Sequence, residues 1–163
     1  STINSDLRVN GGIAADTFNL SSGCVENEHV EVGAAIDASK LNHHVYARYA
    51  QDLGAAVATK TALLHVAKYG GTVKGVHVVT TTHPTSSDTV TVDVKKSTAL
   101  GSFNSILSSV VTLNSSSVDK TVYDGTLSST SYIADDVFQV VVTASGSSCQ
   151  GLIVELVTEE QGA

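Results

Sequence analysis

The chain has 163 residues, of which 42% are hydrophobic and only 15% charged, with a formal net charge of −7. That length fits one domain with room for an appendage. The acidic balance argues against a nucleic-acid or anionic-membrane binder, since both need basic patches, and no apolar run approaches the ~20 residues of a membrane span.

The first 42 residues differ from the rest. Single apolar residues (Val9, Ile13, Phe18, Leu20, Val25, Val30, Ile36 and Leu41 among them) stand apart between polar and small ones. Neither strand-length alternation nor a helix-length amphipathic face persists, and one short helix is expected from Ala34 to Leu41. The segment is acidic, with Asp6, Asp16, Glu26, Glu28, Glu31 and Asp37 against Arg8 and Lys40. Isolated apolar residues at such regular intervals are unusual in a solvated tail. Composition alone slightly favours a flexible tail; against that, the spacing makes residues 1–42 read as an extended arm that packs on a partner, and residues 43–163 as the folded body. The polar N-terminus lacks the basic-then-apolar pattern of a signal peptide, and a leading Ser1 is consistent with removal of an initiator methionine from a protein made in the cytoplasm.

From His43 the pattern turns to β. His43 to Gln51 reads as a strand with Val45, Ala47 and Tyr49 on one face. Lys60 to Tyr69 could be helix or strand; the neighbouring β pattern favours a strand, ended by Gly70-Gly71. Tyr69 to Lys96 reads as a β-hairpin. In its second half Val90, Val92 and Val94 share one face, while Thr89, Thr91 and Asp93 share the other. In its first half the phase slips between Val73 and Val76 around Gly75, as a bulge would cause. The loop His83 to Asp88 holds the only proline, Pro84. Strands are further expected at Ile106 to Leu113, Lys120 to Tyr123, Gly125 to Tyr132, Val137 to Thr143 and Leu152 to Thr158, with Glu159 to Ala163 as a tail. About eight strands separated by turn signals predict an all-β antiparallel sandwich, jelly-roll-like, preceded by the extended arm. An immunoglobulin-like sandwich ranks second, because its buried Trp and paired Cys are missing.

Chemistry-bearing clusters are sparse. His43 and His44 point to opposite faces of a strand and cannot share one ion. His65 and His77 could meet across a sheet, but no further ligand spacing supports a metal, and none is expected. Asp135-Asp136 and Glu159-Glu160 are adjacent pairs, expected to be solvated, rather than two carboxyls facing across a cleft. No nucleophile elbow or phosphate loop occurs, so neither an enzyme nor a cofactor is expected. Cys24 and Cys149 read as two thiols in preference to one disulfide.

Two stretches together resemble bacteriophage structural proteins. Cys24 to Leu41, CVENEHVEVGAAIDASKL, is similar to the linker that precedes their β-domain, ending here in Ile36-Asp37-Ala38-Ser39-Lys40-Leu41. The β-domain is similar at Gly71 to Val76, Thr89 to Lys96, Ile106 to Leu113, Ala134 to Val137 and Gln150 to Leu152. The resemblance implies a virion component on the outer capsid surface, made in the host bacterial cytoplasm: a homotrimeric head decoration (cement) or head-fibre protein. Its partners would be the major capsid protein and further copies of itself. The capsid contacts would fall on the arm residues Val9, Ile13, Phe18, Leu20, Val25, Val30, Ile36 and Leu41. Long shafts and coiled-coil heptads are missing, which favours a compact decoration protein. The alternative is a fibre-tip module that binds a host receptor or surface glycan.

Overall fold

The computed structural model describes residues 42–98 and 101–161. The arm contacts expected at Val9, Ile13, Phe18, Leu20, Val25, Val30, Ile36 and Leu41, and the helix expected from Ala34 to Leu41, lie outside the described residues.

The body is all-β. Its strands are β1 (Asn42–Ala50), β2 (Lys60–Val66), β3 (Gly71–Thr82), β4 (Thr89–Ser97), β5 (Asn104–Ser105), β6 (Val111–Leu113), β7 (Tyr123–Asp124), β8 (Ser131–Tyr132), β9 (Val137–Ser145) and β10 (Gln150–Gln161). One sheet runs β1-β10-β3-β7, with β8 also on β3. The other runs β2-β9-β4-β5, with β6 also on β4. Every pairing is antiparallel. The pair β5 and β6 fills one strand position and the pair β7 and β8 another. The sheets then read 1-8-3-6 and 2-7-4-5, which is the interleaved order of a jelly roll.

Alternation explains the core. Val90, Val92 and Val94 of β4 and Phe138, Val140 and Val142 of β9 are buried, and they face Val76, Val78, Leu152, Val154 and Leu156 of the first sheet. Each such side chain contributes roughly 1.5–3 kcal/mol by leaving water. The slip in β3 is a bulge. Val157 pairs with Gly75 and the next residue, Thr158, pairs with Val73, so Lys74 is the extra residue. The bulge is what lets Val73 and Val76, three apart, both point inward.

The structure corrects the hairpin expected from Tyr69 to Lys96. β3 pairs with β10, β7 and β8, whereas β4 pairs with β9, β5 and β6. The His83–Asp88 segment is an arch that carries the chain from one sheet to the other. Both strands need to bury a valine face, and crossing the core lets each do so opposite the other. Pro84 is buried in this arch, and the Asp88 carboxylate accepts hydrogen bonds from Ser148 N (3.1 Å) and Ser148 Oγ (2.6 Å), tying the arch to the β9–β10 turn.

Three expected strands are largely irregular. Ile106 to Leu113 breaks at Ser108-Ser109: Leu107 makes a lone bridge to Leu127, and only Val111–Leu113 forms a ladder. Lys120 to Tyr123 shrinks to Tyr123–Asp124, because Lys120 takes φ +56° in a turn. Gly125 to Tyr132 keeps only Ser131–Tyr132. In contrast, the tail expected after Thr158 belongs to β10, which continues to Gln161 because β1 and β3 flank it on both sides.

The carboxylate pairs also depart from expectation, since one member of each is buried. Asp136 is 1% exposed and sits 3.2 Å from Lys96 Nζ, while accepting the Ile133 N–H at 3.1 Å. Glu160 is 7% exposed and reaches across to the other sheet, its Oε1 lying 3.2 Å from His65 Nε2. The His65 ring stacks on Phe138 at 6.0 Å, and Tyr132 meets the same Phe138 edge-on at 5.4 Å. A polar clasp thus closes the sandwich at the end where β1 begins.

Candidate interaction surface

The outer face of the β1-β10-β3-β7 sheet carries the densest set of candidate contacts. Its register sets them in rows. Arg48, Glu155, His77 and Asp124 lie side by side on four successive strands. One row nearer the start of β1 are Tyr46, Val157 and Gly75, and one row beyond are Ala50, Ile153 and Val79. A charged row therefore runs between two apolar ones.

The charged row is internally paired. Arg48 Nε donates to Glu155 Oε2 at 3.2 Å and Nη2 donates to the same oxygen. His77 Nδ1 lies 2.6 Å from Asp124 Oδ1. Gly75 makes room for this histidine, because a Cβ there would lie 2.8 Å from His77 Nε2. Nearer Asn42, Glu159 accepts from Lys74 Nζ at 3.1 Å and lies 3.2 Å from His44 Nε2. The Lys74 ammonium, then His44, hold the Glu159 carboxyl below its ordinary pKa.

Beyond the charged row the face sinks into two adjoining apolar depressions. One, of about 220 Å³, lies among Arg48, His77, Val122 and Glu155. The other, of about 280 Å³, lies among Leu53, Thr81, Lys120 and Gly151. Val79 and Ile153 line both. The second is shaped by close backbone approach. Gly151 has φ +55°, and a Cβ there would sit 2.7 Å from the Leu53 carbonyl oxygen. Thr81 Oγ1 bridges the Leu53 and Gln150 carbonyls at 2.9 and 2.8 Å. Leu53 and Val122 stay more than half exposed at the rim. Among the described residues no salt bridge engages Lys120.

The opposite sheet's outer face is plainer. Thr61, Val141, Thr143, Thr91 and Thr112 cover it with few charges, and its edge strand β2 leaves Leu63 and Val66 exposed.

His65 and His77 do not meet. They lie on different sheets, each with its own carboxylate, Glu160 and Asp124. His83 likewise pairs with Asp119, whose carboxyl is held below its ordinary pKa by the His83 backbone N–H and then by its ring. Among the described residues no three His, Cys, Asp or Glu side chains converge on one point. Cys149 is a free, buried thiol whose pKa burial raises. Tyr46 is 61% exposed, while Tyr132 is buried. This surface offers shape, apolar contact and fixed charge pairs, the properties of a docking face. The sequence signalled the strands that build it but not the rows, which exist only through the β1-β10-β3 register.

No family model, curated protein or solved structure matches the chain.

Proposed function

We infer that the chain is a structural virion protein: a homotrimeric decoration (cement) protein that binds the outside of a bacteriophage capsid and stabilises it. The observation that carries this reading is a jelly-roll body entered, at edge strand β1, by an acidic segment bearing isolated apolar residues. The resemblance of Cys24 to Leu41 and of the strand segments to phage structural proteins supports it, and jelly rolls recur among viral capsid domains. The low-charge outer face with exposed Leu63 and Val66 offers a surface for contact between subunits. In this reading the partners are the major capsid protein and the chain itself, and no reaction or cofactor is involved.

An extended arm gains affinity by setting single apolar side chains into separate pockets and by backbone pairing at sheet edges. Three arms on one trimer bind together, so modest affinity per arm becomes tight attachment through effective concentration. Mixing the trimer with undecorated capsids tests the reading. The full chain co-sediments with them, and Phe18→Ala or Ile13→Asp weakens that binding while the body stays folded. If a chain lacking residues 1–41 decorates capsids equally well, attachment does not lie in the arm.

Exposed Tyr46 beside Arg48 and Glu155 favours one second reading, a glycan-binding fibre-tip module, because sugars stack on exposed aromatic rings. Binding on a glycan array that Tyr46→Ala abolishes would support it. An array without signal removes it.

A further inference from the structure

Alternation along β4 turns Lys96 to the same side as Val92 and Val94, toward the core. A lysine placed there is costly unless its charge is met. Its Nζ donates to the Ser131 carbonyl oxygen at 2.8 Å and lies 3.2 Å from Asp136 Oδ2, at the end of the sandwich where β1 begins. We propose that this pair is a modification site: Lys96 and Asp136 condense, without an enzyme, into an isopeptide bond that ties β4 to the turn between β8 and β9.

The two groups are held in place and largely shielded from water. The Asp136 side chain is 1% exposed and that of Lys96 20%. The Asp136 backbone is pinned on both sides: its carbonyl accepts the Ala67 N–H at 2.9 Å, and its N–H donates to the Ile133 carbonyl at 3.2 Å. Oδ2 accepts the Ile133 N–H at 3.1 Å. Groups fixed about 3–3.5 Å apart react as though at very high concentration. The other carboxylate oxygen, Oδ1, is buried and has no hydrogen-bond partner. An unmatched oxygen on a buried charge is costly, and condensation expels that atom.

The step balances within the pair. The Lys96 ammonium gives one proton to the Asp136 carboxylate, which leaves a neutral amine beside a neutral acid. The Nζ lone pair then attacks Cγ and the Nζ–Cγ bond forms. The Ile133 N–H steadies the negative charge that develops on Oδ2. A second proton leaves Nζ, the Cγ–Oδ1 bond breaks, and Oδ1 departs with both protons as water. Oδ2 stays as the carbonyl oxygen of the amide and keeps its bond from Ile133. No oxidant, metal or further reactant enters. The product closes residues 96–136 into a covalent ring in the same row as the His65–Glu160 pair, since Lys96, Phe138 and His65 are register partners on three adjacent strands.

The intact mass of the full chain under denaturing conditions tests the proposal, because an ion pair separates on unfolding and an amide does not. The wild-type chain should weigh one water less than its sequence requires, and Lys96→Arg should weigh its full mass. Tryptic digestion of the wild-type chain should yield a branched peptide that joins the segment around Lys96 to the one containing Asp136. That peptide decides the matter even if the Lys96→Arg chain fails to fold. A wild-type chain of full mass overturns the proposal. So does a missing water that persists in Lys96→Arg, as cyclisation at Asp124-Gly125 would give, or a digest without the branched peptide.

Discussion

Gly151 shows how one position can hold a surface in place. Its φ of +55° is the left-handed region, and the Leu53 carbonyl and the Thr81 hydroxyl close on the space a side chain would need. Gly151→Ala should therefore cost about 1–3 kcal/mol from backbone strain alone, seen as a lower thermal midpoint and a displaced Leu53. Phe138, wedged between His65 and Tyr132, is the largest fully buried side chain among the described residues. Phe138→Ala should cost about 3–5 kcal/mol in denaturant unfolding. Charge at single residues contributes to the acid response. Asp119, through the His83 backbone N–H, and Glu159, through Lys74, have folded pKa values below those of the free side chains, 3.8 and 4.5. The folded form then binds fewer protons, so this stabilisation is complete above those values and is lost as pH falls through the folded ones. Unfolding followed by circular dichroism should be flat near neutrality and show declining stability below about pH 4. Lys74→Ala should reduce the Glu159 share of that decline.

Among the elements, what could be read from sequence divides along a physical line. Strict alternation in Thr89 to Val94 and Val137 to Thr143 dictates one buried face whatever the neighbours are, and both strands form as expected. The slipped phase around Gly75 announces a bulge, and the register confirms it. Pairing is a different matter. Nothing in His83 to Asp88 distinguishes a hairpin from an arch, because either one buries the valines of both strands. The choice is made by β9 and β10, which lie more than forty residues downstream. Ile106 to Leu113 fails for the opposite reason. Its hydrophobic run is real, but Ser108-Ser109 breaks the ladder, and Ile106, Leu107, Val111 and Leu113 are buried as separate plugs. Likewise, the buried Glu160 was unreadable because its partner His65 comes from the other sheet. The arch offers a test at this scale. Asp88→Ala removes the acceptor for the Ser148 amide and hydroxyl, so amide exchange should quicken at Ser148 and in residues 83–88 while the β4 and β9 amides keep their protection.

At the scale of the molecule, the two sheets and the clasp close one core, built among the described residues from those between Asn42 and Gln161. A chain beginning at Asn42 should accordingly fold alone, giving β-type circular dichroism and one cooperative melt. A disordered spectrum would show that the preceding residues complete the core. Sedimentation of the full chain should give a trimer at micromolar concentration. The outer-face rows were only partly legible in advance. Their components, such as Arg48, His77 and Glu155, are scattered over more than a hundred residues, and only the register of three strands sets them in a row.

The pairing of Asn42 with Gln161 places both ends of the body side by side. The arch at 83–88, the Asn114–Ser117 turn and the β9–β10 turn gather at the other end, because Val90 pairs with Leu113 and Thr89 with Ser145. For anyone using the body as a display scaffold, this polarity decides where a guest belongs. A peptide fused directly after Gln161 would leave beside Asn42 and crowd that pole. The same peptide spliced between Ser115 and Ser116 would leave from the opposite pole, away from Asn42 and Gln161, at two residues whose side chains already face water.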